Sequence, residues 1–227
     1  MRLLVLLTFV ALTATAAAQE NGVTLSYSET SGNSNTSTLS VSYSWEKTLG
    51  KWDFSSNGNF LYKKSSGKET ANRLNAQAST GRKLNRKLSL TVNGFIYSDR
   101  FAGYDFRGGI GPGISYQVTE SLLLSSSVTY TYNNYTNGST DRYAQGEAQV
   151  KYSRRFKNFT LSQSLNYQVS FKNSQDYFIH SESTVSVPLN SRLALNVTYL
   201  IDYQNKLPDG VEYHTDRTLL TGVTYRF

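Results

Sequence analysis

Cysteine is absent from this 227-residue chain, proline occurs three times, histidine twice and methionine once. Without cysteine there is no disulfide framework, no thiolate metal site and no thiol chemistry. So little proline argues against a soluble β-sandwich, whose loops are more strongly punctuated. Past the N-terminus no stretch approaches the roughly 20 apolar residues that a membrane helix needs. Mean hydropathy is negative, which excludes a helical membrane protein. Acidic residues are fewer than basic ones, for a formal charge of +7, yet the basic residues form no continuous strip. They gather in short clusters at Arg82-Lys83, Arg86-Lys87 and Arg154-Arg155, beside expected turns. Nucleic acid is therefore not an expected partner, and basic turn ends meeting anionic lipid headgroups are the simpler reading.

What the chain does have is tyrosine (17), phenylalanine (11) and much Ser, Thr, Asn and Gly, in strict alternation. In the last segment Leu219, Thr221, Val223, Tyr225 and Phe227 share one face. Thr218, Leu220, Gly222, Thr224 and Arg226 share the other. About twelve segments repeat this period of two. Outward sets such as Leu39/Val41/Tyr43/Trp45 and Leu195/Val197/Tyr199/Ile201 oppose polar sets such as Ser162/Ser164/Asn166/Gln168. A half-buried soluble sheet shows the same contrast, but here no helical segment is available to cover the apolar faces. The expectation is an all-β fold: one antiparallel transmembrane β-barrel of twelve strands with short turns, apolar atoms outward and polar atoms in the lumen.

The breaks between segments set the topology. Leu49-Gly50-Lys51, Asn85-Arg86, Thr119-Glu120, Lys157-Asn158 and Asn190-Ser191 form one set. Gly32-Asn33-Ser34-Asn35, Ser65-Ser66-Gly67-Lys68, Ala102-Gly103, Thr136 to Ser139, Asn173-Ser174 and Pro208-Asp209-Gly210 form the other. These residue types supply hairpin φ values. With both chain ends at the periplasm, the first set lies inside and the second outside. Trp45 and Trp52 flank one periplasmic turn, as interfacial aromatics do.

The two ends suggest export and insertion. Met1-Arg2, the apolar Leu3 to Leu12 and Ala16-Ala17-Ala18 make residues 1–18 a signal peptide, leaving a single domain over 19–227. The terminal Val223, Tyr225 and Phe227 resemble the signal by which bacterial barrel-assembly machinery recognises its clients. The expected location is the bacterial outer membrane, with membrane lipid and that machinery as the partners of a monomer. Matches to N-x-S/T at Asn137 and Asn196 arise readily in so Asn- and Ser-rich a chain and are discounted.

Three runs carry a family resemblance: Thr30 to Ser37 with Tyr43-Ser44-Trp45-Glu46; Tyr97-Ser98-Asp99-Arg100-Phe101-Ala102-Gly103-Tyr104-Asp105-Phe106-Arg107 with the glycines of Gly108–Gly113; and Asp216 before the strand ending at Phe227. Together they resemble the salt-induced outer-membrane-protein family, domain of unknown function 481. That resemblance implies an outer-membrane barrel and a role in osmotic or salt stress. It brings no catalytic residues.

Candidate chemistry is sparse. His180 and Glu182 alternate onto the lumen face, where a His-plus-carboxylate site of a lipid- or peptide-processing enzyme could sit. A hydrogen-bonded filling of the lumen carries more weight. His214 lies near Glu212 and Asp216, at a spacing that matches no metal motif. Asp99, Asp105 and Arg107 read as an ion-paired hairpin, with Asp105 and Arg107 on one face and Phe106 on the other. Catalytic, cofactor and metal residues are therefore expected to be none. The expected lumen or rim charge network is Asp99, Asp105, Arg107, Glu147, Lys151, Glu182 and Asp202, with Glu46, Asp53, Lys63, Arg73 and Arg226 also inward. Twelve strands enclose more room than side chains fill by default. Mixed signs paired across the lumen favour a narrow passage over a wide pore. The reading is a non-catalytic envelope protein, with a passive channel for ions or small polar solutes as the alternative.

Overall fold

The computed structural model describes residues 21–30, 36–207, 211 and 213–227. Residues 1–18, the Gly32–Asn35 turn, Pro208-Asp209-Gly210 and Glu212 lie outside the described residues. Twelve strands follow in chain order: β1 (Gly22–Thr30), β2 (Thr36–Leu49), β3 (Trp52–Ser65), β4 (Lys68–Lys83), β5 (Leu88–Asp99), β6 (Tyr104–Thr119), β7 (Leu122–Tyr135), β8 (Thr140–Arg155), β9 (Thr160–Ser170), β10 (Tyr177–Pro188), β11 (Leu193–Gln204) and β12 (Thr215–Arg226). Each pairs antiparallel with the next, and β1 pairs with β12 from Gly22↔Arg226 to Tyr27↔Thr221, closing the barrel. Closure removes every sheet edge, so all strands can sit in hydrocarbon with their backbone groups bonded. The strands are 9 to 16 residues long, enough to cross a bilayer at the usual tilt.

Both described chain ends and the five tight turns lie at one end of the barrel, the turn end. The other connections lie at the opposite loop end. The first hairpin is real, since Ser28 faces Thr38 and Thr30 faces Thr36 across it.

The alternation is borne out physically. Leu25, Val92, Ile110, Val128, Leu165 and Val197 point outward and are exposed to the surroundings. Ser40, Thr129, Thr131, Asn133, Gln145 and Asn166 point inward and are buried. An exposed apolar face this large is wrong for water and right for lipid. Few apolar side chains are buried, and Leu61, Leu200 and Leu220 form a cluster with Ala71 beside it inside the lumen.

The glycines of β6 answer to crowding. A Cβ on Gly111 would stand 1.9 Å from the carbonyl oxygen of Val128, and one on Gly109 would meet the inward Phe95 ring at 2.7 Å. The β6–β7 ladder is unpaired at Gly111-Pro112, where proline has no N–H to give.

Candidate functional site

Among the described residues the lumen holds two cavities, and its two halves are lined differently. Towards the turn end the inward positions are small and polar: Ser55, Ser79, Thr91, Ser115, Ser125 and Gln149 line a cavity of about 510 Å³. Side-chain bonds here join neighbouring strands, as in Thr24–Thr224 (2.6 Å), Ser79–Asn93 (2.8 Å) and Asn166–Glu147. Lys83 pairs with Asp53 at 2.8 Å, and Glu46 and Lys151 line the same cavity.

Towards the loop end the inward residues are large and reach across. Arg73 on β4 pairs with Asp202 on β11 at 2.6 Å, and these strands lie on nearly opposite sides of the ring. The other oxygen of Asp202 meets His180 Nδ1 at 2.6 Å, and His180 Nε2 stands 4.0 Å from Glu182. Tyr104 is 2% exposed. Its hydroxyl accepts from the Gln204 amide at 3.2 Å, and its ring packs on Tyr97, Tyr135 and Phe178. Asn133 ties in Tyr135 and Tyr143. A second cavity of about 470 Å³ runs past this belt and shares Asn57, Gln77, Phe95, Gln149 and Lys151 with the first. The two cavities thus share wall residues, and the belt side chains reach between strands on distant sides of the ring.

Among the described residues Arg107 is the most enclosed charge, 3% exposed. Its Nη2 donates to the side-chain oxygens of Gln145 and Gln168, and its guanidinium lies 4.2 Å above the Phe178 ring. Among the described residues, its Nε and the amide nitrogen of Gln145 meet no hydrogen-bond acceptor.

One expected pairing is corrected. Asp105 and Arg107 do not share a face, because a β-bulge between Tyr104 and Phe106 shifts the register of β6 against β7. Tyr104 and Arg107 both point inward, while Asp105 sits at the rim and pairs with Arg100 at 3.1 Å. Asp99 caps the 3₁₀ turn Arg100–Ala102 by accepting from the N–H groups of Phe101 and Ala102, and Gly103 closes that turn with φ 85°. The Asp99–Asp105–Arg107 constellation therefore divides into a cap, a surface pair and a lumen cation. Phe106 faces outward and is exposed.

Sequence reasoning passed over Tyr104, Phe178, Gln145 and the Arg73–Asp202 bridge. Large aromatic residues at inward parity, against the outward rule, are the signal that could have found them. His180 has no serine or threonine hydroxyl among its partners, as a nucleophile relay would require. His214 bonds the Gln204 carbonyl and stacks on Tyr203. Among the described residues no three His, Asp or Glu side chains gather into a metal site.

No curated protein matches the chain. Solved structures share its fold at low identity. A NanC porin superposes with TM-score 0.55 at 12% identity, covering 91% of this chain and 100% of the porin. The translocator domain of the autotransporter NalP from Neisseria meningitidis gives 0.54 at 14% identity, covering 93% and 90%. The family profile of proteins of unknown function called DUF481 matches residues 23–227. The chain belongs to that family.

Proposed function

We propose that this member of the DUF481 family is a non-catalytic outer-membrane barrel that serves envelope maintenance under osmotic or salt stress, with a narrow polar lumen. The observation that carries the narrow lumen is the Arg73–Asp202 ion pair between nearly opposite strands, reinforced by Tyr104 and Gln204. A selective pore more often gathers one charge sign into a ring. Here opposite signs meet within the lumen instead. The barrel works as a monomer in outer-membrane lipid, with the tight turns in the periplasm and the loops outside. Residues 1–18 are removed on export.

Two experiments test this. A strain lacking the gene should lose growth or envelope integrity in high salt, and the wild-type gene should restore it; equal tolerance with and without the gene contradicts the stress role. For location, Tyr225→Asp places a charge at the outward end of β12, next to Val23 of β1 and Leu193 of β11. Outer-membrane levels and heat-modifiable gel mobility should both fall, and unchanged values in the variant would count against Val223, Tyr225 and Phe227 as the assembly signal.

A passive channel is the second reading, favoured by the two cavities that abut along the lumen.

A further inference from the structure

The two rims of the barrel differ in charge. At the turn end the last residues of β4 and the turn after it carry Arg82, Lys83, Arg86 and Lys87, and the last residues of β8 and the turn after it carry Arg154, Arg155 and Lys157, with no acid in either stretch, although Lys83 pairs with Asp53 of β3. At the loop end, bases alternate with acids. Asp105 binds Arg100, and Asp141 binds Lys172 at 2.6 Å. Two of the turn-end arginines face outward. Arg82 shares the outward face with Trp52 and Leu90, its register partners on the neighbouring strands. Arg154 shares it with Leu161.

Each of these arginines lies over an exposed aromatic ring. Arg82 is 6.0 Å from the Trp52 centroid and Arg154 is 5.4 Å from Phe156, which itself stacks on Phe159 at 4.7 Å. Each guanidinium therefore stands where the lipid-facing stripe of its strand meets water. An arginine held over an interfacial aromatic presents a planar fork of donors at that level, and phosphate geometry matches the fork. Clustered cations beside a membrane surface also attract anionic headgroups.

We infer that the turn-end rim binds anionic phospholipid headgroups, with Arg82 over Trp52 and Arg154 over Phe156 as two phosphate sites on the outer wall. The inference rests on the reading of the apolar exterior as lipid-facing. A soluble polyanion in the same compartment would find the turn cations equally well. It would have no reason to require arginines facing outward at the edge of the apolar stripe.

The test uses the full assembled barrel, its closure verified by heat-modifiable mobility. Barrel that never assembles would fail the membrane reading itself and not this inference. Assembled protein is equilibrated with mixed micelles of phosphatidylglycerol and phosphatidylethanolamine of matched chains, and retained lipid is read by native mass spectrometry. The expected result is several-fold more phosphatidylglycerol than phosphatidylethanolamine on the wild type, falling at least threefold in Arg82→Gln/Arg154→Gln. Arg142→Gln is the control. Arg142 lies over Tyr132 in the same way, 5.4 Å from its centroid, but at the loop end, and the variant should retain wild-type lipid. Equal retention of the two lipids, or retention unchanged in the double variant, overturns the proposal. An equal loss in Arg142→Gln also overturns it, since the turn end would then not be special. If the double variant does not assemble, Arg82→Lys/Arg154→Lys keeps the charge and removes the fork. Reduced retention there supports the two phosphate sites, and full retention contradicts them.

Discussion

The two halves of the lumen share one backbone cylinder and use it in opposite ways. In the turn-end half, inward serines, threonines and asparagines bond to their neighbours along the wall and leave the middle open. In the loop-end half, Arg73, Tyr104, Arg107 and Phe178 reach away from the wall and meet partners on distant strands. Strand number sets how much room there is, and side-chain length decides whether that room is used. The difference teaches that the filling of the lumen, unlike the diameter of the barrel, rests on a few long side chains that can be removed without touching the wall.

The strongest way to break the contrast is to make the second half resemble the first. Arg73→Ala/Tyr104→Ala/Arg107→Ala should raise single-channel conductance by about tenfold, because the belt is lost while the strand count and wall stay the same. An unchanged conductance would mean that another element limits the passage.

Stability responds next. Asp202→Asn leaves Arg73, whose side chain is 12% exposed, without its counter-charge. Denaturant titration in detergent should show a loss of about 2–3 kcal/mol, discounted from a fully buried pair because Asp202 keeps some solvent contact. Replacing both partners, as Arg73→Met/Asp202→Leu, should recover only part of that loss, since Arg73 is no longer orphaned but His180 still loses its Asp202 partner. Gly111→Ala should cost about 1–3 kcal/mol through overpacking, because its Cβ would strike the Val128 backbone and not a yielding side chain.

The smallest effect sharpens the corrected pairing. Asp105→Ala should cost less than about 1 kcal/mol and leave conductance unchanged, since its partner Arg100 is largely exposed. A large loss of stability would return Asp105 to the lumen network.

The alternation from Val23 to Tyr225 was legible because one face meets lipid and the other meets polar side chains, so hydrophobicity reports parity directly. The hairpins were legible because Gly, Asn and Asp mark the breaks. The bulge was not. In Tyr104-Asp105-Phe106-Arg107 an unbroken period of two puts Asp105 with Arg107, and nothing in those four residues announces an extra one. Cross-lumen partners were equally hidden. That Arg73 meets Asp202 depends on strand tilt and on the register of every intervening pair, none of which is local to either residue. The inward charges could be named from the sequence, but their partners could not.

The central claim is that the Arg73–Asp202 and Tyr104 belt holds the lumen narrow. Single-channel recording of the purified wild-type barrel in planar bilayers tests it most directly. The account predicts small conductance or none, whereas large, stable, porin-like steps from the wild type would contradict it.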